Sequence, residues 1–160
     1  MSQSNAKSFN KTITRPNDVV AYAANDVIGA ATGSTGAIEI TGFMPGRPFN
    51  LVNTKLLINS ATVLAGMTTF NLHFYSKAPP SVLGDNVAWD LPSGDQPFYL
   101  GFVSLGTPVD VGAAIYVQSN NLNAHFTPQD TSVFAYLVTV GGFTPAANTT
   151  FNIQGVMIDP

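Results

Sequence analysis

The chain consists of short apolar segments in which hydrophobic and polar side chains alternate with a period of two. In the clearest of these, residues 68–75, Phe70, Leu72 and Phe74 alternate with polar residues. Such alternation places one set of side chains on the core face of a β-strand and the other set on the opposite face. Segments that alternate in this way or are continuously apolar cover residues 9–15, 37–41, 49–60, 68–75, 97–105, 113–118, 132–140 and 150–158.

These segments predict an all-β protein with about eight strands and no helix, folded as a single two-sheet β-sandwich domain over residues 9–160. Gly, Pro and Asn residues between the segments supply the turns. Long intervals between several strands argue against a simple meander and favour two packed sheets in a jelly-roll-like order. An immunoglobulin-like sandwich is the alternative, although the chain has no cysteine for the Cys–Trp–Cys core of that fold.

Two details of the pattern go beyond the strand count. The apolar positions of segment 49–60 are odd-numbered up to Leu51 and even-numbered from Leu56, and a β-bulge between them would explain the switch. Segments 98–103 and 133–140 are apolar on both faces. We interpret each of these two as a central strand or as a contact surface for another chain, because both of its faces need an apolar partner.

Charged residues are scarce. Asp, Glu, Lys and Arg make up 9% of the chain, whereas about 25% is usual. A surface poor in charge loses little ionic hydration when it docks, so this composition favours a subunit of a larger assembly. The alternative is a neutral, freely soluble β-domain. The net charge of −3 and the scattered basic residues argue against direct nucleic-acid binding.

The first residues are polar, and we predict that residues 1–8 form an N-terminal arm that is flexible alone or ordered by a partner. They lack the apolar region of a secretory signal peptide. Apolar runs in the chain are far shorter than the ~18 residues that a membrane span needs, so we expect no membrane partner. The absence of cysteine suits folding in a reducing cytosol.

Segment 85–101 contains the only tryptophan, Trp89, together with several side chains that could bind calcium. The oxygen ligands are Asp85, Asn86, Asp90 and Asp95. An EF-hand loop needs ligands at alternate positions and a closing Glu, which this spacing does not provide. We therefore predict no metal site and interpret the segment as a turn-rich loop packed onto the sandwich. Its Trp89, Phe98 and Tyr99 are candidate structural anchors or contacts.

No arrangement typical of an enzyme is apparent. His73 lies on the polar side of its strand, and His125 is predicted in a loop, without the spacing of a zinc site. Ser34 is not part of a nucleophile elbow, and Asp90 with Asp95 makes a poor glycosidase pair. We therefore predict no catalytic residue, no cofactor and no enzymatic activity.

Several stretches of the sequence resemble one group of tailed-bacteriophage virion proteins. They are Thr14-Arg15-Pro16, AYAANDVIG at 21–29, LHFY at 72–75, AP at 78–79, DNVAW at 85–89 and YLG at 99–101. The group comprises small cement or decoration proteins of the phage head, with a β-sandwich or jelly-roll fold and no catalytic residues. The resemblance covers less than half of the chain, about residues 12–30 and 70–105.

This resemblance implies a non-enzymatic virion protein that is made in the host cytoplasm and stabilises the phage head. Its partner would be the major capsid protein, across whose subunits it binds at the capsid surface as a homo-oligomer. The resemblance also implies that segment 85–101 crosses between two strands, with Trp89 as an anchor.

Two other functions remain open. A glycan- or receptor-binding jelly-roll module of a tail fibre or spike would use an exposed Trp89, flanked by the acidic and amide groups of residues 85–90, as a sugar platform. The coat protein of a small virus would use the same sandwich, but such a protein usually carries a basic arm, and the start of this chain has few basic residues.

Overall fold

The computed structural model describes residues 6–159, which form two β-sheets. The strands are β1 (Ala6–Thr14), β2 (Val27–Ile28), β3 (Ile38–Thr41), β4 (Phe49–Ile58), β5 (Phe70–Tyr75), β6 (Tyr99–Ser104), β7 (Val109–Asp110), β8 (Ile115–Ser119), β9 (Ala124–Phe126), β10 (Ser132–Thr139) and β11 (Thr150–Ile158). A short 3-10 turn, Gln96–Phe98, precedes β6. Every predicted segment forms a strand. The strands that the pattern missed, β2, β7 and β9, are only two or three residues long.

The strand order defines a jelly roll. Sheet 1 has the order β1-β11-β4-β8-β7, with β9 also paired to β4, and sheet 2 has the order β2-β10-β5-β6, with β3 also paired to β10. Along the chain, strands pass from one sheet to the other singly or in short groups, which is the double-sheet arrangement of jelly rolls. The predicted fold class is therefore confirmed. In an immunoglobulin-like sandwich, by contrast, the first two strands share a sheet.

The parity change in β4 is a β-bulge, as predicted. Adjacent residues of β11 pair with Leu51 and Asn53 of β4, so that Val52 between them has no partner on β11. One extra residue shifts every following side chain to the opposite face. Leu51 before the bulge and Leu56 after it are consequently buried in the same core.

The core lies between the inner faces of the two sheets and is rich in aromatic rings. Phe70 of β5 meets Phe151 of β11 with ring centroids 6.4 Å apart, and Phe74 of β5 lies 4.6 Å from Phe126 of β9. Burying a side chain of this size contributes about 1.5–3 kcal/mol. Since the inner faces take most of the large apolar residues, the two outer faces determine what the molecule presents to a partner.

The two strands that are apolar on both faces have different positions. β10 is central in sheet 2, with β5 on one side and β2 and β3 on the other, and most of its residues are buried. β6 is an edge strand, and its Phe102 is 55% exposed. From the sequence alone, each of these two strands could be a central strand or a contact surface for another chain. The structure makes β10 the central one and leaves contact by β6 as a proposal.

The first described strand begins earlier than predicted. β1 starts at Ala6 rather than at Phe9, and it pairs with β11 along its whole length. Of the predicted arm, residues 1–5 lie outside the described residues, whereas residues 6–8 belong to β1.

Arg15, directly after β1, is a buried charge with many partners. It is 1% exposed, and its guanidinium donates to the Asp18 carboxylate at 2.8 Å. Further acceptors are the backbone carbonyls of Asp18, Val20, Pro145 and Ala146. These bonds join the loop after β1 to the loop before β11. They also compensate the buried guanidinium for the water that it loses, since a buried charge is tolerated only when it is paired and hydrogen-bonded.

Candidate functional site

The outer face of sheet 2 is covered by the chain itself. Residues 77–98, here called the covering segment, connect β5 to β6 across this face. Between the segment and the sheet lies a second apolar cluster of Val27, Tyr75, Leu83, Tyr136 and Val138. The Tyr136 hydroxyl donates to the Ser81 carbonyl at 3.1 Å. This cluster explains why β5 and β10 are buried on both faces.

Asp85, one of the possible calcium ligands, is a buried hydrogen-bond acceptor. It is 2% exposed, and its Oδ1 accepts from the Tyr22 hydroxyl at 2.6 Å and from the Gly29 N–H at 2.9 Å. Burial and the bond to Asp85 raise the pKa of Tyr22, so its hydroxyl keeps its proton and remains a donor. Asp85 therefore joins the covering segment to the loop that follows β1.

Asp95 joins the two ends of the covering segment to each other. It is 1% exposed and accepts from the Ser81 backbone N–H at 3.1 Å and from the Ser81 hydroxyl. Asp90 is exposed and accepts only a local bond, from the Leu91 N–H at 2.7 Å. Within residues 6–159, no three His, Cys, Asp or Glu side chains are grouped so that they could hold a metal ion. The acidic residues of this loop instead satisfy donors of the fold.

Trp89 is partly buried and lies against sheet 2. Its ring stacks on His73 with centroids 3.8 Å apart, and its indole N–H donates to the Tyr75 hydroxyl at 3.3 Å. The His73 ring also stacks on Phe102 of β6, at 5.1 Å. The indole thus uses its polar atom and one ring face inside the protein. This geometry does not favour the sugar platform that an exposed Trp89 would provide.

His73 is buried beneath Trp89 and is uncharged. It is 4% exposed, and burial lowers its pKa to about 4. Its Nδ1 lies 3.0 Å from the Tyr99 hydroxyl, whose own pKa burial raises. A neutral imidazole bonded to a protonated phenol is not the nucleophile, base and carboxylate arrangement of a hydrolase. The predicted outward orientation of His73 is confirmed, but that outward face is covered.

Phe98 and Tyr99 lie where the covering segment enters β6. The Phe98 ring is partly buried, with the Lys77 ammonium 3.8 Å from its centroid. The Tyr99 ring lies 5.4 Å from that of Tyr75 and 5.9 Å from that of Trp89. The structure thus brings Trp89 and Tyr99 into one aromatic group and places Phe98 beside it under a lysine.

The outer face of sheet 1 is uncovered. The outward side chains of its four longest strands are here called the bare face: Ala6, Ser8, Asn10, Thr12, Thr14, Asn50, Asn53, Lys55, Leu57, Tyr116, Gln118, Thr150, Asn152, Gln154, Val156 and Ile158. None of them is buried. Amides and hydroxyls predominate, and Lys55 is the one charged residue of this set.

Amide side chains on the bare face bond to one another across strands. The Asn152 amide donates to Asn10 Oδ1 at 2.6 Å and to Thr12 Oγ1 at 2.8 Å, and the Gln154 amide donates to Asn152 Oδ1 at 2.7 Å. Beside this chain of bonds lies a depression of about 230 Å³, lined in part by Asn10, Lys55 and Gln154. The face is therefore an ordered polar surface with a shallow recess.

A larger cavity of about 360 Å³ lies at the end of the sandwich where β1 begins and β11 ends. Phe43 and Phe49 line it, and their rings stack 4.7 Å apart. Its charged lining residues are already engaged: Lys7 lies over the Phe43 ring at 4.9 Å, and Arg47 pairs with Asp159 at 2.9 Å. No chemistry follows from this arrangement.

The structure also bears on His125, on membrane-spanning helices and on the residues of the bare face. His125, predicted in a loop, lies exposed in β9. In the described part of the chain, no helix is long and apolar enough to cross a membrane. Lys55, Asn10 and Gln154 were not predicted as site residues, although outward Asn, Gln and Thr residues at alternate positions of segments 9–15 and 150–158 indicate such a face.

Comparison with known proteins gives only distant likenesses. No family model matches the sequence, and no curated protein matches it. A chain of the capsid of Ralstonia phage GP4 is 16% identical, with a TM-score of 0.44, over 99% of this chain and 85% of that chain. A lipoprotein from Bacteroides thetaiotaomicron is 8% identical, with a TM-score of 0.35, over 97% and 84%. A chain of Desmodium yellow mottle tymovirus is 18% identical, with a TM-score of 0.32, over 99% and 88%. Because each of these TM-scores is below 0.5, the fold assignment rests on the strand order, and no function follows from the likenesses.

Proposed function

We propose that this chain is a non-enzymatic structural protein of a virion, a capsid cement or decoration protein that binds across neighbouring subunits of the major capsid protein. The observation that carries this proposal is the bare face, a sheet-sized surface of uncharged side chains around a single lysine. The resemblance of the sequence to cement proteins of phage heads supports the same role.

An uncharged polar face suits docking for a physical reason. Removing an ionised group from water costs far more than removing an amide or hydroxyl, which recovers most of its hydrogen bonding against a polar partner. A contact that relies mainly on such groups also withstands salt, because salt screens interactions between exposed charges. The bare face therefore supports a lasting attachment to another protein surface.

The stabilising mechanism follows from mass action. A protein that binds the assembled shell and not its separated subunits shifts the equilibrium towards the shell. If each copy contacts two coat subunits, the second contact forms at a high effective concentration, and the joint between the subunits is reinforced. The capsid surface, occupied by several copies of this chain, is the proposed location.

We also propose roles for the aromatic residues singled out in the sequence. Trp89 and Tyr99 anchor the covering segment on His73 and Tyr75, as their stacking and hydrogen bonds support. Phe98, which lies beside them under the Lys77 ammonium, is a further anchor of the segment.

The proposed function is tested with mature phage heads that lack this protein. We expect the purified chain to co-sediment with them in a saturable manner and to raise the temperature at which the heads disrupt, measured by calorimetry. An unrelated protein of similar size serves as the control. Heads that disrupt at the same temperature with and without the bound chain would contradict the proposal. Binding to host-cell polysaccharide instead of to heads would indicate the glycan-binding alternative.

A further inference from the structure

The recess in the bare face has the chemistry of a carboxylate-binding site. It lies between β1, β11 and β4, and its polar lining residues include Lys55, Asn10 and Asn53. The Asn10 amide oxygen accepts from Asn152, and the Asn10 side-chain N–H groups make no hydrogen bond with the rest of the described chain. An ammonium beside amide donors complements the two acceptor oxygens of a carboxylate.

Lys55 differs from the other basic residues of the chain. Arg15 and Arg47 form ion pairs with acidic residues. Lys7 and Lys77 lie over aromatic rings. These four side chains thus have partners within the protein.

The remaining lysine besides Lys55 is Lys11, whose position pairs with core residue Ile153 on the inner side of edge strand β1. Among the described residues, Lys55 has no ion-pair partner. The acidic residue on the strands of sheet 1, Asp110, sits at the far edge, on β7. Lys55 is therefore the unpaired charge in the middle of an open face.

We infer that this recess receives an Asp or Glu side chain of the major capsid protein, which pairs with Lys55 and fixes the position of the bare face on the shell. This inference rests on the proposed function and adds the point of contact and its chemistry. The charge complementarity is specific, because elsewhere on the face a partner meets only uncharged groups. One ion pair surrounded by neutral contacts sets register and orientation more than it sets total affinity.

Binding to heads that lack this protein tests the inference with three variants of the full chain. We expect Lys55→Glu to weaken binding about 100-fold and Lys55→Gln about tenfold, since a desolvated charge pair is lost or reversed. Lys77→Glu changes charge equally but follows β5 in sheet 2, so its binding should stay within about twofold of the wild type. Unchanged thermal unfolding of the variants shows that the fold is intact.

A zero-length carbodiimide cross-link supplies a second readout on wild-type protein bound to heads. Carbodiimide couples an amine to a carboxylate only when the two are in direct contact, so mass spectrometry should find Lys55 joined to an Asp or Glu of the coat subunit. Equal binding of wild type and Lys55→Glu, or a Lys55 cross-link to a second copy of this chain, would overturn the inference while leaving the proposed function standing. Wild-type protein that does not bind heads at all would overturn both.

Discussion

The two outer faces of this sandwich differ in whether the chain itself covers them. On sheet 2, His73, Tyr75 and Tyr136 point outwards and are buried, because the covering segment lies over them. On sheet 1, the outward residues are mainly amides and hydroxyls, with one lysine and a few apolar side chains, and none of them is buried. One face thus has its partner within the chain, whereas the other is open to a partner from outside.

The difference shows how a protein with few charges can separate folding from docking. On the covered face, aromatic rings stack on one another, and hydroxyl and carboxylate groups form hydrogen bonds. These contacts exist only when the covering segment lies on sheet 2. The bare face does not need the covering segment, since its amides bond to one another and its exposed polar groups can be satisfied by water in the free molecule or by a partner in a complex. Substitutions on the two faces should therefore affect different measurements, namely unfolding and binding.

A matched pair of aromatic substitutions, one on each face, should give the largest difference in the free energy of unfolding. Trp89→Ala removes a ring stacked on His73 and a bond to Tyr75, and we expect it to lower the free energy of unfolding by about 2–4 kcal/mol. Tyr116→Ala removes a ring from the bare face and should cost about 1 kcal/mol or less. Denaturant unfolding checks both values. Equal costs would mean that the covering segment is not anchored by Trp89.

The buried imidazole predicts a pH dependence that belongs to the covered face. The unfolded-state pKa of His73 is about 6.5, and burial lowers it to about 4 in the folded protein. Only the unfolded state takes up the proton between these values, so stability is unaffected above pH 6.5 and falls as the pH drops towards 4. The loss should reach about 3 kcal/mol.

The variant His73→Phe keeps an aromatic ring in the stack and should lack this part of the pH dependence. Unfolding of wild type and variant, compared between pH 7 and pH 4, isolates the effect from carboxylate titration. His125→Gln, at an exposed position of β9, is the control and should follow the wild type. A His73→Phe profile that parallels the wild type would contradict the assignment.

Substitutions of two aspartates in the same loop should give the smallest difference in the free energy of unfolding. Asp95→Ala leaves the Ser81 N–H without its acceptor, and we expect a loss of about 1–3 kcal/mol. Asp90→Ala, five residues earlier at an exposed position, should cost about 0.5 kcal/mol or less. Thermal unfolding distinguishes them. A larger effect of Asp90→Ala on head binding than on unfolding would move the docking site from the bare face to this loop.

Local periodicity was enough to predict the strands and the bulge. A period of two over five or more residues is a strong signal, and the parity switch before Leu56 has few explanations besides an extra residue. The shortest strands were missed because two or three residues carry no period. The position of β6 at the edge of sheet 2 could not be predicted from the sequence either, because strand order depends on contacts between distant segments.

The candidate site was harder to predict for the same reason. His73 looked like a polar, outward residue, and in position it is one, but nothing near it in the sequence indicates that Trp89 lies over it. The interpretation of segment 85–101 as a turn-rich loop named none of the donors that its aspartates accept from. Those donors, on Tyr22, Gly29 and Ser81, became visible only in the fold.

The pairing of β1 with β11 also constrains how the molecule is made. β1 has no other strand partner in the described chain, and Asn10 bonds to Asn152, which lies 142 residues further on. During synthesis, β1 therefore emerges from the ribosome long before its neighbour exists, and sheet 1 closes only when residues 150–158 are free. Contacts of such long sequence separation form late and slowly. The bare face is consequently among the last surfaces of the described fold to be completed.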